Sequence, residues 1–323
     1  MDRRNSRLLV QMETPTRHSS RPITKINSID IFAKRRCFMA REQVIWVDAG
    51  GGELNLNDWV NYICTRNQKG VWGPPFLLQS SKTPLSEGSQ FRGVIVGERG
   101  VDLNQKIRGT TREELLTLLR DLSQRMDPLK GEGLLKFING AETRILYCRP
   151  EGIKDVTDKE TIAETILSFT ANDPFLYDDE PVTTVFETSG VAGTFFSTSF
   201  FPMHLTRSIV YSTQEIDNPG NAETYPVWTI AGPGISIQLT NIRTGKVISL
   251  GNLELFTGQE LIIDTRIRKK TVQLDGVNAF EYLADRSSLW QLLPGLNDIQ
   301  IEMSGAAAES SVQLQFTPRY DSK

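Results

Sequence analysis

From Gln43 onward the chain alternates apolar and polar positions in short runs. "QVIWVDA" is a compact β-branched and aromatic run closed by Gly50, Gly51 and Gly52, and "ELNLND" and "WVNYICTR" read as half-buried strands after it. "FRGVIVGERGVDLNQKIRG" supplies two more strand runs, split by a turn at Glu98, Arg99 and Gly100. Between these groups residues 66–88 are rich in Gly, Pro and Ser, which predicts a long connection. Loops of that length inside a compact domain usually carry function or move.

One helix is predicted. In "TTREELLTLLRDLSQRMDP" Thr111 and Glu114 form a capping box, and Leu115, Leu118, Leu119, Leu122 and Met126 recur on one face. Asp127-Pro128 and Gly131 stop it. "LLKFINGAETRILYCR" places Asn139-Gly140 between two apolar runs, a strong hairpin signal. "ETIAETILSF" fits helix and strand alike, and periodicity alone does not choose.

The second half reads almost entirely as strand: "RSIVYS", "YPVWTIA", "ISIQLT", "KVISL", "ELIIDT", "KTVQL", "FEYL", "DIQIEMS" and "SVQLQF". Thr244-Gly245 and Asp275-Gly276 mark two hairpins. Short strands at such spacing predict a β-sandwich or jelly roll. "SFTANDPFLYDDEP" marks a boundary. The expected division is a basic arm at 1–41, a first domain at 42–177, a linker and entry segment at 178–204, and a sandwich at 205–323.

Composition narrows the function. Hydrophobic residues make up 39% and charged residues 23%, the balance of a globular chain without a membrane-spanning run. Three widely spaced cysteines argue against a disulfide framework and for a reducing cytoplasm as the place of synthesis. With only His18 and His204, a His/Cys metal site or a histidine-based triad has little to draw on. The sequence holds no G-x-S-x-G, P-loop or G-x-G-x-x-G. No enzyme, metal or cofactor is therefore expected. Residues 1–41 hold ten Lys and Arg against Asp2, Glu13 and Asp30, an excess of +7, which leaves −10 on the remainder of a chain whose net charge is −3. Such an arm reads as a solvated extension, with weak nucleic-acid contact as its alternative.

The order of these signals resembles a known family, the distal tail proteins of bacteriophages with long, non-contractile tails. The resemblance is carried by "GGELNLND", "GVDLNQKIRGTTREELLTLLRDLSQRMDPLKGEGLLKFINGAETRILYCRP", "FTANDPFLYDD", "NPGNAETYPVWTIAGPG", "LTNIRTGKVISL", "GQELIIDTRIRKKTVQLDG" and "SSLWQLLPGLNDIQI", and covers roughly residues 42–320. It implies a mainly β chain: a tube-like β-barrel or split-barrel domain with one flanking α-helix, then a galectin-like β-sandwich. It also implies that "ETIAETILSF" is the last strand of the first domain. The implied role is structural, a hexameric hub at the virion tail tip. Its implied partners are copies of itself, the tail tube protein, a tail-tip hub protein, and a receptor-binding protein or host surface saccharide. Membrane insertion is not expected. The alternative is a carbohydrate-binding sandwich on the virion surface.

The candidate site residues follow from these readings. Val71, Trp72, Pro74, Pro75 and Phe76 form an aromatic and proline cluster in the long loop, either a lid over its own barrel or a surface buried by a neighbour. Tyr282 and Trp290 are the candidate sugar-stacking residues, whereas Trp228 reads as core and Trp290 also fits a cap on the sandwich end. Asp173, Asp178, Asp179 and Glu180 could be offered as a glycosidase pair, but they fall in one turn and linker rather than across a rigid cleft. Arg266, Arg268, Lys269 and Lys270 read as an exposed turn, and Cys64 and Cys148 as small core residues.

Overall fold

The computed structural model describes residues 42–65, 67–82, 87–186 and 209–323. The basic arm, most of the segment expected as linker and entry, and His204 lie outside the described residues.

The first half is built on a nine-stranded sheet whose main order is β2-β1-β7-β8-β9-β6-β3, curled into a nearly closed barrel. β1 (Gln43–Val47) pairs antiparallel with β2 (Glu53–Asn55) and β7 (Gly133–Asn139). β7 leads through the Asn139-Gly140 turn into β8 (Glu142–Lys159), as the turn residues predict. β8 then pairs with β9 (Ile162–Ala171), and β9 with β6 (Arg99–Arg108), whose far edge takes β3 (Tyr62–Cys64). "ETIAETILSF" is therefore strand. Its neighbours on both sides supply a continuous ladder that an isolated helical reading would leave unpaired. Residues 58–61 do not extend β3, because the Asp58 carboxylate accepts the backbone N–H groups of Val60, Asn61 and Tyr62 and folds them into a turn.

The period-2 pattern decides which faces are buried. Val101, Leu103 and Ile107 of β6 point inward beside Leu167 and Phe169 of β9, Val44 and Trp46 of β1, and Leu135 and Phe137 of β7. Helix α1 (Arg112–Arg125) closes one side. Thr111 Oγ1 accepts the Glu114 N–H at 3.2 Å, and the Glu114 carboxylate returns to the Thr110 N–H at 2.6 Å, so the capping residues work as expected. Its buried contacts come from Leu115, Leu122 and the C-cap Met126, while Leu118 and Leu119 are only partly covered.

The second half is a two-sheet sandwich. One sheet runs β11-β20-β13-β16-β17-β18 and the other β12-β19-β14-β15. Their ranges are β11 Val182–Phe186, β12 Ile209–Asn218, β13 Val227–Ala231, β14 Gly234–Asn241, β15 Lys246–Leu255, β16 Glu260–Asp264, β17 Thr271–Leu274, β18 Val277–Asn278, β19 Gly295–Ser304 and β20 Ser311–Phe316. Alternating Trp228 and Ile230, Leu261 and Ile263, Leu239, Ile248, Ile299 and Ile301 fill the space between the sheets. The Thr244-Gly245 and Asp275-Gly276 turns join β14 to β15 and β17 to β18. "FEYL" is a 3-10 turn at Phe280–Tyr282 rather than a strand.

Two strands depart from the expected division. β11 falls within the segment read as linker, yet it pairs with β20 and buries Phe186 against Trp228. β21 (Arg319–Tyr320) leaves the sandwich and pairs with β10 (Leu176–Asp178), which in turn pairs with β8. The barrel's sheet and the last described strand of the chain are thus one hydrogen-bonded unit.

Candidate assembly site

The long loop expected at 66–88 is only partly a loop. β4 (Phe76–Ser81) and β5 (Gln90–Val96) form a two-stranded antiparallel ribbon that pairs with no third strand among the described residues. Its register sets Phe76 opposite Val96 and Leu78 opposite Val94 on one face, with Leu77 opposite Ile95 on the other. These side chains, with Phe91, range in exposure from 37% for Val96 to 71% for Leu78. A ribbon of two strands is marginal in water without something packed against it, and this one offers apolar surface on both faces.

The five candidate residues at its root separate into two groups. Trp72, Pro75 and Phe76 are exposed, whereas Val71 and Pro74 are buried and anchor the ribbon to the barrel. Val71 and Pro74 thus fit the lid alternative, packed against their own barrel. Gly97 N–H donates to Pro75 O at 3.0 Å and closes the ribbon's base. The sequence reading missed Leu77 and Leu78, which it placed in a loop, and Phe91, Val94, Ile95 and Val96, which it gave to the barrel wall. The available signal was that "FLLQ" and "VIV" are apolar at consecutive positions, a pattern that wants burial on both faces.

Two buried arginines organise the ribbon's base and the junction beside β21, and neither was singled out from the sequence. Arg99, expected in a turn, is the first residue of β6 and is 1% exposed. Its guanidinium donates to Gly70 O at 2.5 Å, Val71 O at 2.7 Å, Pro174 O at 2.8 Å and Asp321 O at 3.1 Å. Burial lowers its pKa to about 10, with Asp321 opposing, so it stays charged at neutral pH. Arg319 donates to Asp173 Oδ1 and to Glu223 O, both at 2.9 Å, and lies 4.2 Å from the Phe175 ring centroid.

These contacts account for two of the four acidic residues, and Asp179 and Glu180 are exposed. Asp173 accepts from Tyr177 Oη at 2.5 Å as well as from Arg319, and Asp178 pairs with Arg144 at 3.3 Å. Asp173 and Asp178 hold the junction together. An open cleft of about 530 Å³ over the outer side of β6, lined by Asn67, Gln68, Lys69, Asp102, Asn104 and Ile166, has no aromatic wall.

Of the candidate sugar-stacking pair, Trp290 is fully buried, with its indole N–H donating to Leu239 O at 3.3 Å. It presents no face for stacking and is corrected to a core residue. Tyr282 is partly buried against the same core. Residues 266–270 are an exposed turn, in which Arg266 folds back onto Asp264 at 2.7 Å. Cys148 is fully buried and Cys64 is half-buried, its sulfur within hydrogen-bonding distance of Gln105 Oε1 at 3.2 Å and Leu56 O at 3.4 Å. Among the described residues no group of three or more His, Cys, Asp or Glu could hold a metal ion, and no helix is long and apolar enough to cross a membrane.

The geometry describes a class of protein: a mainly β scaffold that carries an exposed apolar two-stranded ribbon. Comparison with known proteins shows what this chain is similar to. Residues 219–320 match the family model of the siphovirus-type tail component, C-terminal domain. Among solved structures, the SPP1 Dit (gp 19.1) protein, described as a paradigm of the hub adsorption apparatus in phages infecting Gram-positive hosts, shares the fold. It superposes with a TM-score of 0.63 at 15% identity, over 86% of this chain and 99% of that one. A chain of the phage P2 baseplate in its activated conformation with Ca gives a TM-score of 0.46 at 12% identity, over 88% of this chain and 100% of that one. No curated protein matches. The resemblance to phage distal tail proteins read from the sequence therefore holds, in the mainly β two-part fold and in the C-terminal domain.

Proposed function

We propose that this chain is a structural distal tail protein that assembles through its β4–β5 ribbon into a ring, six-membered as the resemblance implies. In this reading the ring joins the tail tube to the tail tip or baseplate and to the receptor-binding machinery. The chain acts at the virion tail tip and catalyses nothing. Residues 42–177 form the ring and the sandwich, galectin-like in the resemblance, projects from it.

The observation that carries this reading is the ribbon with apolar side chains on both faces. An intermolecular contact would cover both faces, and a surface of this kind is seldom left open on a free protein. A closed ring built from one repeated heterologous contact supplies that cover for every copy. Trp72 and Phe76 add aromatic anchors beside it.

Light scattering on the purified chain tests the proposal. The native protein is expected as a ring-sized species, and the double variant Phe76→Ser with Leu78→Ser as a folded monomer with unchanged circular dichroism. Rings formed equally well by that variant would remove the ribbon from the interface. A native chain that stays monomeric while binding immobilised saccharide would favour the adhesion module instead.

A further inference from the structure

We propose that residues 319–323 act as a strap that fixes the root of the β4–β5 ribbon and so couples the sandwich to the assembly surface; this rests on the assembly reading above. The strap begins in the sandwich. β20 runs out at Phe316, Ala222 N–H donates to Arg319 O at 3.1 Å, and Asp321 N–H donates to Asn221 Oδ1 at 2.9 Å. It then crosses to the barrel. Tyr320 pairs with Leu176, lies under Arg144 at 3.8 Å, and donates its hydroxyl to Asp178 at 3.4 Å.

The next three residues reach the ribbon's root. Asp321 O accepts from Arg99, the guanidinium that also holds the carbonyls of Gly70 and Val71. Lys323 Nζ pairs with Glu42 and contacts Gln68 Oε1 at 3.3 Å. It sits 5.2 Å from the Trp72 ring centroid and 5.7 Å from that of Phe137. The Lys323 side chain is only 12% exposed, although the Trp72 ring it faces stays largely open to water. The exposed Trp72 is thus oriented by a residue donated from beyond the sandwich. Among the described residues the ribbon has no third strand, so its direction depends on residues 68–75 and 97–99, and the strap contacts both segments directly or through Arg99.

The coupling has a defined mechanical sense. A displacement of the sandwich that draws on β20 pulls Asp321 and Lys323, and these are the groups that hold Arg99 and Trp72. An occupied sandwich surface can therefore bias the ribbon without any contact to it, through one short run of packed and hydrogen-bonded groups.

The test compares the full chain with a version ending at Tyr320 and with Lys323→Met, which keeps the chain length. Both retain the β10–β21 pairing and are expected to fold. Amide hydrogen exchange in peptides covering 68–82 and 87–99 should accelerate at least about ten-fold in the shortened chain, while peptides covering 226–264 stay unchanged. The concentration needed for half-assembly should rise in both variants. Unchanged exchange at the ribbon's root would overturn the strap, whether or not the protein forms rings. Faster exchange at the root with unaltered assembly would also overturn the coupling, because a loosened root would then not matter to the contact. Failure of the assembly reading shows separately, as a full-length native chain that never forms rings.

Discussion

Trp228 and Trp290 meet edge to face in the centre of the sandwich, with ring centroids 5.5 Å apart and planes inclined at 78°. Phe186 stacks on the other side of Trp228 at 6.1 Å, so strands β11 and β13 and the segment before β19 share one aromatic column. Such pairs contribute about 0.5–1.5 kcal/mol beyond the area they bury. Trp290→Ala should therefore destabilise the protein by about 3–5 kcal/mol, read as a shift in the urea midpoint at unchanged slope. A loss below about 1 kcal/mol would place the ring at the surface after all.

Helix α1 offers a graded series. Leu122→Ala, which empties a fully buried position, should cost about 2–5 kcal/mol, and Leu119→Ala, half-covered, clearly less. Arg120→Ala on the exposed side should fall within about 0.5 kcal/mol of the parent. Thr111→Ala removes the cap and should cost about 1 kcal/mol. Chemical denaturation of the four variants gives the ranking, and equal costs at 119 and 122 would contradict the orientation of the helix.

Gly70 has φ +72°, and a Cβ there would stand 1.9 Å from the carbonyl oxygen of Gly100. Gly70→Ala must move the backbone that Arg99 grips. The expected result is loss of assembly together with a lowered melting temperature, and an unaltered melting curve would show that the root tolerates displacement.

Alkaline pH should destabilise the barrel. Burial raises the Cys64 thiol to about 12 from an ordinary value of 9.0, with Glu42 adding and Lys323 opposing, and burial also raises Tyr62 to about 12 from 10.0, with Asp121 adding. Both groups are held neutral in the folded state and ionise more readily in the unfolded chain. The stability they contribute is whole below about pH 9 and is lost as pH climbs toward 12. Urea midpoints measured from pH 8 to 11 should fall. Cys64→Ala together with Tyr62→Phe should flatten that fall, and an equally steep fall in the double variant would assign it to other groups.

Much of the architecture was legible because it rests on local rules. The Asn139-Gly140 hairpin, the Thr111–Glu114 box and the alternating runs of the sandwich each encode their own geometry in adjacent residues. The helix-or-strand ambiguity of "ETIAETILSF" needed neighbours to resolve it, since β6 and β8 supply its hydrogen bonds, β6 from residues up to 68 positions away, as in Val101 opposite Phe169. The candidate site was legible in part. Trp72 and Phe76 announced themselves as aromatic residues in a Pro- and Gly-rich stretch, but Leu77 and Leu78 looked like loop, and their pairing with Ile95 and Val94 is not a local property. Arg99 and Arg319 look like ordinary surface charges in sequence. Their partners are backbone carbonyls and an Asp from distant segments, which leave no pattern to read.

The return of β21 to β10 has a consequence for how such a protein can be rebuilt by recombination. A sandwich exchanged by cutting only between the two halves would arrive with β21 but without the β10 it pairs with, and the barrel left behind would lose its contacts to Asp321 and Lys323. Since β11 also precedes most of the sandwich in sequence while serving its sheet, a viable exchange has to take β10, β11 and β21 as a matched set. Natural exchanges of the sandwich between related chains should accordingly keep this junction constant.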